Sequence, residues 1–288
     1  MISLIVATVD RVTELERLFA SLDRQSYKDF EVFVVDQNSD ERVLAVLGRY
    51  ERLTVRRLAS GRGLSRARNV ALPHVRGDVV AFPDDDCWYP DNLLATVAAW
   101  FGSHPEFDGL ITTLRDADNQ PVGPPWPATA RSITKQEVSQ YVVSPNGFLR
   151  RESVDKIGLF NENVGVGANT RYQSGEEFDY FARHLALGMK LWYEPSITVH
   201  HPSFHSLERL LERTYSYSLG AGYMMRLHGL SPAYFAKTVM RSMAGAGVSL
   251  CKGHFMVAYS YCMRAAGQLR GYFFGSRDLR AGTGTRRG

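Results

Sequence analysis

The sequence has few cysteines, and its C-terminal third has few acidic residues and no long uncharged apolar run. Cys87, Cys251 and Cys262 are odd in number and far apart, so they predict neither a disulfide framework nor a zinc site. Charged residues interrupt the apolar C-terminal segments before they reach the length of a membrane-spanning helix. Met1 leads directly into a strand-like run without a basic n-region, which favours a cytoplasmic protein without a secretory signal.

Charge is unevenly distributed along the 288 residues. From Ser203 onward there are 12 Lys or Arg and three acids, a balance of 12 − 3 = +9, whereas the whole chain carries +4. The first 202 residues are therefore acidic, at +4 − 9 = −5. This asymmetry divides the chain into an acidic domain over residues 1–202 and a basic, aromatic-rich helical region over residues 203–288. A basic region of this kind favours a polyanionic partner or surface.

The most informative stretch is VVAFPDDDCWYP, residues 79–90. Its apolar start is typical of a buried strand in a parallel sheet, and Asp84, Asp85 and Asp86 follow at the carboxyl end, where ligands bind in open α/β sheets. Adjacent carboxylates repel each other unless a positive group lies between them. Asp84 and Asp86 therefore predict a site for Mg²⁺ or Mn²⁺. The alternative is a solvated acidic turn.

Polar residues follow other predicted strands in the same way. Residues 2–8 form a strand followed by a helix with its apolar positions at helical spacing, and residues 30–35 form a second strand that ends at Asp36. Asp36 can accept hydrogen bonds from a ribose, or it can cap a turn. After a weaker strand over residues 53–58, GRG introduces a helix with two arginines suited to a diphosphate. The third glycine of a dinucleotide fingerprint is missing, which excludes a nicotinamide enzyme of that type.

A second acidic cluster, SGEEFDYFARHLALG at residues 174–188, is typical of a helix with three acids in its first turn. The helix dipole stabilises ionised carboxylates there, so Glu176 or Glu177 could act as a base. The alternative is that the three acids only complement the helix dipole and have no catalytic role. LWYEPSITVHHP then predicts two short strands and ends with His200 and His201.

Taken in order, ATVDR, VVDQNS, GLSRARN, FPDDDCWYP, SGEEFDYFAR and PSITVHHP resemble the motifs of family 2 glycosyltransferases over about residues 2–202. The resemblance implies an α/β fold of GT-A type, with a mostly parallel central sheet flanked by helices and a C-terminal helical extension. It also implies a nucleotide-sugar donor and a carbohydrate or lipid-linked acceptor, in surface polysaccharide or glycolipid assembly.

The resemblance assigns roles to individual residues. Glu177 occupies the place of the general base, where the family usually has Asp, and Glu176 is the alternative. The implied metal ligands are Asp84, Asp86 and His201, with His200 as the alternative if the strand is shifted by one residue. The implied donor-binding residues are Thr8, Asp10, Asp36, Arg66, Arg68, Asn69, Asp84 and Asp85.

The implied reaction is an inverting, single-displacement sugar transfer. A metal-dependent nucleotidyltransferase could use the same acids, but it needs a basic signature near the first strand, where only Arg11 is found. A non-catalytic sugar-nucleotide or membrane adaptor would not need a base. The region over residues 203–288 is expected to make peripheral contact with the cytoplasmic face of the inner membrane or to pack on the catalytic domain. Nucleic acid is not an expected partner, because the basic residues follow no binding motif.

Overall fold

The computed structural model of the chain describes residues 1–203 and 207–283. The chain forms two compact units. The first contains Met1–Phe160 and Tyr180–Ser203, and the second contains Asn161–Asp179 with the described residues of the C-terminal region. No sequence pattern indicated that residues 161–179 group with the C-terminal helices. The division into domains at residue 202 stays a prediction.

The first unit is built on one eight-stranded sheet. Its strands are β1 (Ile2–Thr8), β2 (Phe30–Asp36), β3 (Val55–Ala59), β4 (Val79–Ala81), β5 (Gly109–Arg115), β6 (Arg131–Ser132), β7 (Gly147–Arg150) and β8 (Leu191–His200). Their spatial order is β3-β2-β1-β4-β7-β5-β8-β6. β1 to β4 pair in parallel, as do β5 and β8, whereas β7 and β6 are antiparallel to their neighbours. The expected α/β fold with a mostly parallel sheet is confirmed.

Helices follow most of the strands. The helices before the division are α1 (Thr13–Asp23), α2 (Arg42–Leu47), α3 (Leu64–Ala71), α4 (Leu93–Ser103), α5 (Lys135–Tyr141) and α6 (Arg151–Ile157). The division between the units lies within α7 (Glu176–Ala186). The second unit continues with α8 (Leu207–Leu227), α9 (Pro232–Cys251) and α10 (Phe255–Thr283).

Helices bury both faces of the central strands, whose side chains alternate between the two faces. Leu4 and Val6 of β1 belong to the same hydrophobic cluster as buried side chains of α1, α2 and α4. On the other face, α3 packs on β1 and β2, and α6 packs on β4 and β7. β1, β2 and β4 are therefore nearly continuous apolar runs, which is why they are recognisable in the sequence.

Two local predictions were wrong. Proline is favoured at the first position of a helix, which predicts that Pro90 begins the helix after the acidic stretch. Instead α4 starts at Leu93, and the Pro90 carbonyl accepts hydrogen bonds from Leu93 N at 2.9 Å and Gln25 Nε2 at 2.7 Å. Residues 191–200 form one strand instead of two. Its pairing with β5 shifts register after Thr112, near Pro195, which has no N–H to donate to the ladder.

The second unit has a helical C-terminal part, as the apolar spacing predicted. α10 packs against α8 and α9, and α8 and α10 approach closely at glycines. A Cβ atom on Gly271 would lie 2.0 Å from the carbonyl oxygen of Leu219, so a side chain there would separate the two helices. Among the described residues, no helix is long and apolar enough to cross a membrane.

Candidate active site

The candidate site of the first unit lies at the carboxyl ends of β1, β2 and β4. These three strands are neighbours in the sheet, so the polar residues that follow them lie at one edge. Asp84 forms a parallel bridge with Ala7, and Thr8 Oγ1 donates a hydrogen bond to Asp85 Oδ2 at 2.8 Å. The structure thus brings together Thr8 and the acidic stretch.

Asp84, Asp86 and His201 form a group whose ligand atoms all lie within 4.8 Å of one another. His201 Nε2 lies 3.2 Å from Asp86 Oδ1 and 3.8 Å from Asp84 Oδ2. Asp86 Oδ1 is buried and makes no hydrogen bond of standard geometry with the described residues. The two carboxylates and the imidazole of this group are ligands that fit a divalent cation such as Mn²⁺, with Asp86 Oδ1 as one ligand atom.

His200 and His201 have different surroundings. The ring of His200 stacks on Trp88, and its Nδ1 lies 3.2 Å from the carbonyl oxygen of Asp116. His201 is nearly buried and faces Asp84 and Asp86. Successive residues of an extended segment point in opposite directions, so only one of the two can face the acids.

Two arginines that the sequence did not single out contact the acidic stretch. Arg11 Nη1 donates to Asp85 Oδ1 at 2.9 Å and also to Asp86 Oδ2. Arg17 Nη2 donates to the backbone oxygen of Asp86. The one visible signal was the position of Arg11, three residues beyond the end of the first strand. These cations offset part of the repulsion among the carboxylates.

The neighbouring carboxyl groups titrate differently. Burial raises the pKa of Asp85 to about 6, although Arg11 and Thr8 act in the opposite direction. Burial also acts to raise the pKa of Asp86, but contacts with His201 and Arg11 outweigh it and lower that pKa to about 2. Asp86 is therefore ionised at neutral pH, as a metal ligand must be.

Helix α3, which was predicted to face a diphosphate, carries polar residues with different surroundings. Arg68 is 1% exposed, lies over the rings of Phe82 and Phe160, and has Nη2 3.8 Å from Asp84 Oδ1. Asn69 exchanges two hydrogen bonds with the backbone of Phe160, at 3.0 and 2.8 Å, while Arg66 is exposed. Arg68 therefore lies beside the acidic stretch, and Asn69 fixes the chain at residue 160.

Asp36 and Asp10 lie after β2 and β1. Asp36 is buried, accepts a hydrogen bond from Asn38 N at 2.9 Å and pairs with Arg57 Nη2 at 2.8 Å. This contact with Asn38 forms the turn that was the alternative to ribose binding. Asp10 has a positive φ of 58° and is exposed, with ion pairs to two surface arginines, Arg42 and Arg62.

The second acidic cluster lies in the second unit, in the first turn of α7. Glu176 is 2% exposed, and a Cβ atom on Gly165 would lie 2.9 Å from its Cδ, so the residue packs beneath a glycine turn. Glu177 is half-buried, and Asp179 Oδ1 lies 3.0 Å from His228 Nε2. Of the two candidate bases, Glu177 is the more accessible to an acceptor hydroxyl.

Comparisons with known proteins identify relatives of this chain. The chain is 28% identical over 206 residues to a glycosyltransferase of Haemophilus influenzae, which covers 69% of this chain and 64% of that protein. The chain thus spans just under two thirds of that relative's length. It is also 32% identical over 126 residues to TarS, a poly(ribitol-phosphate) β-N-acetylglucosaminyltransferase of Staphylococcus aureus, over 42% of this chain and 22% of TarS.

Two solved structures share the fold. Residues 1–349 of S. aureus TarS superpose with a TM-score of 0.62 at 17% identity, covering 96% of this chain and 91% of that one. The mannosyltransferase PcManGT of Pyrobaculum calidifontis, solved with GDP-Man and Mn²⁺, has a TM-score of 0.63 at 16% identity, covering 94% and 87%. The fold is therefore of GT-A type, as expected. Residues 3–158, more than half of the chain, match the profile described as glycosyl transferase family 2, and the chain belongs to that family.

Proposed function

We propose that this protein is an inverting glycosyltransferase that moves a sugar from a nucleotide-diphosphate sugar to a hydroxyl acceptor. The observation that carries the proposal is the group of Asp84, Asp86 and His201 at the carboxyl edge of the sheet, beside Thr8 and Asp36. A nucleotide binds at such an edge in open α/β folds, and a cation held there lies next to its phosphates.

In this proposal Asp84, Asp86 and His201 hold a divalent cation, which when bound offsets the charge that develops on the departing diphosphate. Thr8, Asp36 and Asp85 orient the nucleoside, with Asp10 at the edge of the same site. Arg66, Arg68 and Asn69 complete the diphosphate side, Arg68 by supplying a fixed positive charge. Preorganised charges of this kind need no rearrangement during the reaction.

Glu177 takes the proton from the acceptor hydroxyl. It lies in the first turn of an 11-residue helix, where the helix dipole stabilises its ionised form. Glu176 is the alternative base, but its burial beneath Gly165 leaves less room for an acceptor. Direct attack of the activated hydroxyl on the sugar displaces the nucleotide in one step and inverts the configuration of the sugar.

The relatives narrow the class of substrate. TarS has been solved with UDP-GlcNAc, PcManGT with GDP-Man, and another relative is the succinoglycan biosynthesis protein ExoW of Rhizobium meliloti. For this chain we propose a nucleotide-sugar donor and a carbohydrate acceptor, free or lipid-linked, in surface polysaccharide or glycolipid assembly. The basic P-loop-like signature of a nucleotidyltransferase is absent from the sequence around Arg11.

Peripheral contact with an anionic membrane at the cytoplasmic face is also part of the proposal, and it is supported by the α9–α10 hairpin of the second unit. Residues 230–276 contain five Lys or Arg and no acid. The hairpin tip, residues 248–259, exposes five large apolar side chains beside Lys252 and His254: Val248, Leu250, Phe255, Met256 and Tyr259. An apolar tip on a hairpin in which basic residues outnumber the single acid, Asp278, complements the interface of an anionic leaflet.

The test of the catalytic proposal is the release of nucleoside diphosphate from a panel of nucleotide sugars with Mn²⁺. Glu177→Gln keeps the size of the side chain and removes its basicity, so turnover should fall on the order of 10²- to 10⁴-fold while donor affinity is unchanged. Glu176→Gln is the matched control. If Glu176→Gln is the inactive variant, the base is Glu176, and if both variants keep full turnover, the helix carries no base.

A further inference from the structure

A stack of three side chains lies beside the candidate metal site, within the first unit. The guanidinium carbon of Arg17 lies 4.2 Å from the centroid of the Trp88 ring. Trp88 in turn stacks on His200, with ring centroids 5.3 Å apart and an interplanar angle of 8°. Trp88 is two residues after Asp86, and His200 directly precedes His201. Each stacked ring is therefore next to a candidate metal ligand.

The backbone joins the same two segments. Trp88 N donates to the His200 carbonyl and His200 N donates to the Trp88 carbonyl, each at 3.0 Å. Arg17 extends the connection, because its Nη2 donates to the backbone oxygen of Asp86 while its guanidinium covers Trp88. The chain that carries Asp86 and the chain that carries His201, far apart in sequence, are thus fixed to each other and to α1.

We propose that the stack of Arg17, Trp88 and His200 is a positioning element that holds Asp86 and His201 at the separation one divalent cation requires. The inference rests on the proposed metal site. Without such support, the segments that carry Asp86 and His201 could move apart, and the cation would have to bring the two ligands together at a cost in binding free energy. Residues that support metal ligands in this way typically change metal affinity by about 10- to 100-fold when they are replaced.

The Arg17→Ala variant distinguishes a positioning role from a purely electrostatic one, because the two predict opposite changes in metal affinity. The positive charge of Arg17 close to the site repels a cation, so electrostatics alone would make Arg17→Ala bind metal more tightly. Positioning predicts weaker binding, since the contacts with Asp86 and Trp88 are lost. Arg17 is exposed, so its replacement leaves the core intact.

The experiment measures Mn²⁺ affinity of the full chain by isothermal titration calorimetry without any sugar nucleotide, with thermal unfolding followed in parallel. We expect Trp88→Ala and His200→Ala to weaken binding by about 10-fold and Arg17→Ala to weaken it by a smaller factor. Trp88→Phe keeps an aromatic face and should restore most of the affinity.

His104→Ala is the matched control. The rings of His104 and Trp100 stack in the same way at the end of α4, with centroids 4.5 Å apart and an interplanar angle of 10°. The His104→Ala variant should bind Mn²⁺ with the affinity of the wild type. Wild-type affinity in folded Trp88→Ala, or tighter binding by Arg17→Ala, would overturn the inference. A wild-type chain that binds no Mn²⁺ would overturn the metal site itself. If Trp88→Ala fails to fold, Arg17→Ala decides the question.

Discussion

His184 of α7, in the first unit, should make the stability of the protein depend on pH. The side chain is 0% exposed, and neither ring nitrogen has a hydrogen-bond partner among the described residues. Burial disfavours the charged imidazolium and lowers the pKa of His184 to about 4 from the ordinary 6.5. The folded protein therefore keeps this histidine neutral at pH values where the unfolded chain already binds a proton.

The sign and size of the effect follow from proton linkage. Between pH 6.5 and about 4 the unfolded chain binds more protons than the folded one, so stability falls as pH falls through this window. A difference of 6.5 − 4 = 2.5 pKa units corresponds to about 3 kcal/mol at the low end. Asp85, whose pKa is raised to about 6, acts in the opposite direction over part of the same range. The effect of His184 is therefore measured as the difference in the free energy of unfolding between wild type and a His184 variant at each pH.

The assay is urea unfolding at several pH values from 7.5 to 4.5, in wild type, His184→Leu and His254→Leu. His184→Leu should lose less stability than wild type as the pH falls, with the gap growing to about 3 kcal/mol at the lower end of the window. His254 is exposed, and its replacement should leave the wild-type profile unchanged. If His184→Leu and wild type follow parallel curves, the buried neutral histidine is not the cause, and the reasoning is refuted.

Two further predictions concern the metal site and the hairpin. Asp86→Asn should weaken Mn²⁺ binding by more than about 100-fold in calorimetry, beyond what an outer partner contributes. It should also lower the melting temperature, because Arg11 and His201 lose their contact with an ionised carboxylate. Unchanged affinity would remove Asp86 from the site. Phe255→Ser should reduce sedimentation with vesicles containing phosphatidylglycerol by about 10-fold, since one such apolar side chain contributes about 1.5–3 kcal/mol on burial. Leu187→Ser, which replaces an exposed leucine of the first unit, is its control, and a wild-type chain that never sediments would contradict the membrane contact.

The sequence predicted β1, β2 and β4 and the edge of the site because both depend on local patterns. The strands are apolar runs buried on two faces, and the polar residues that follow them lie at one edge in any parallel sheet. Thr8, Asp36 and the acidic stretch could therefore be grouped before any coordinates were known. The order of motifs also led to the correct family.

Contacts between residues distant in sequence could not be predicted in the same way. Arg11 and Arg17 reach the acids only because α1 follows β1 and lies beside the chain after β4. Whether His200 or His201 faces the acids depends on register, which the bridge between Trp88 and His200 sets. Neither the arginine contacts nor the bridge between Trp88 and His200 produces a periodic pattern in the sequence. Only the structure identifies them.

The acidic stretch is stabilised by the protein's own cations before any metal binds, and this affects how site variants are interpreted. Arg11 contacts Asp85 and Asp86, while buried Arg68 lies 3.8 Å from Asp84. Removing a carboxylate therefore changes two things at once, because it takes away a ligand and leaves an arginine with less compensation, which is costly for a buried charge. Loss of activity in an Asp84 variant would thus not identify a metal ligand by itself. Metal affinity and thermal stability, measured on the same variant, separate the two effects.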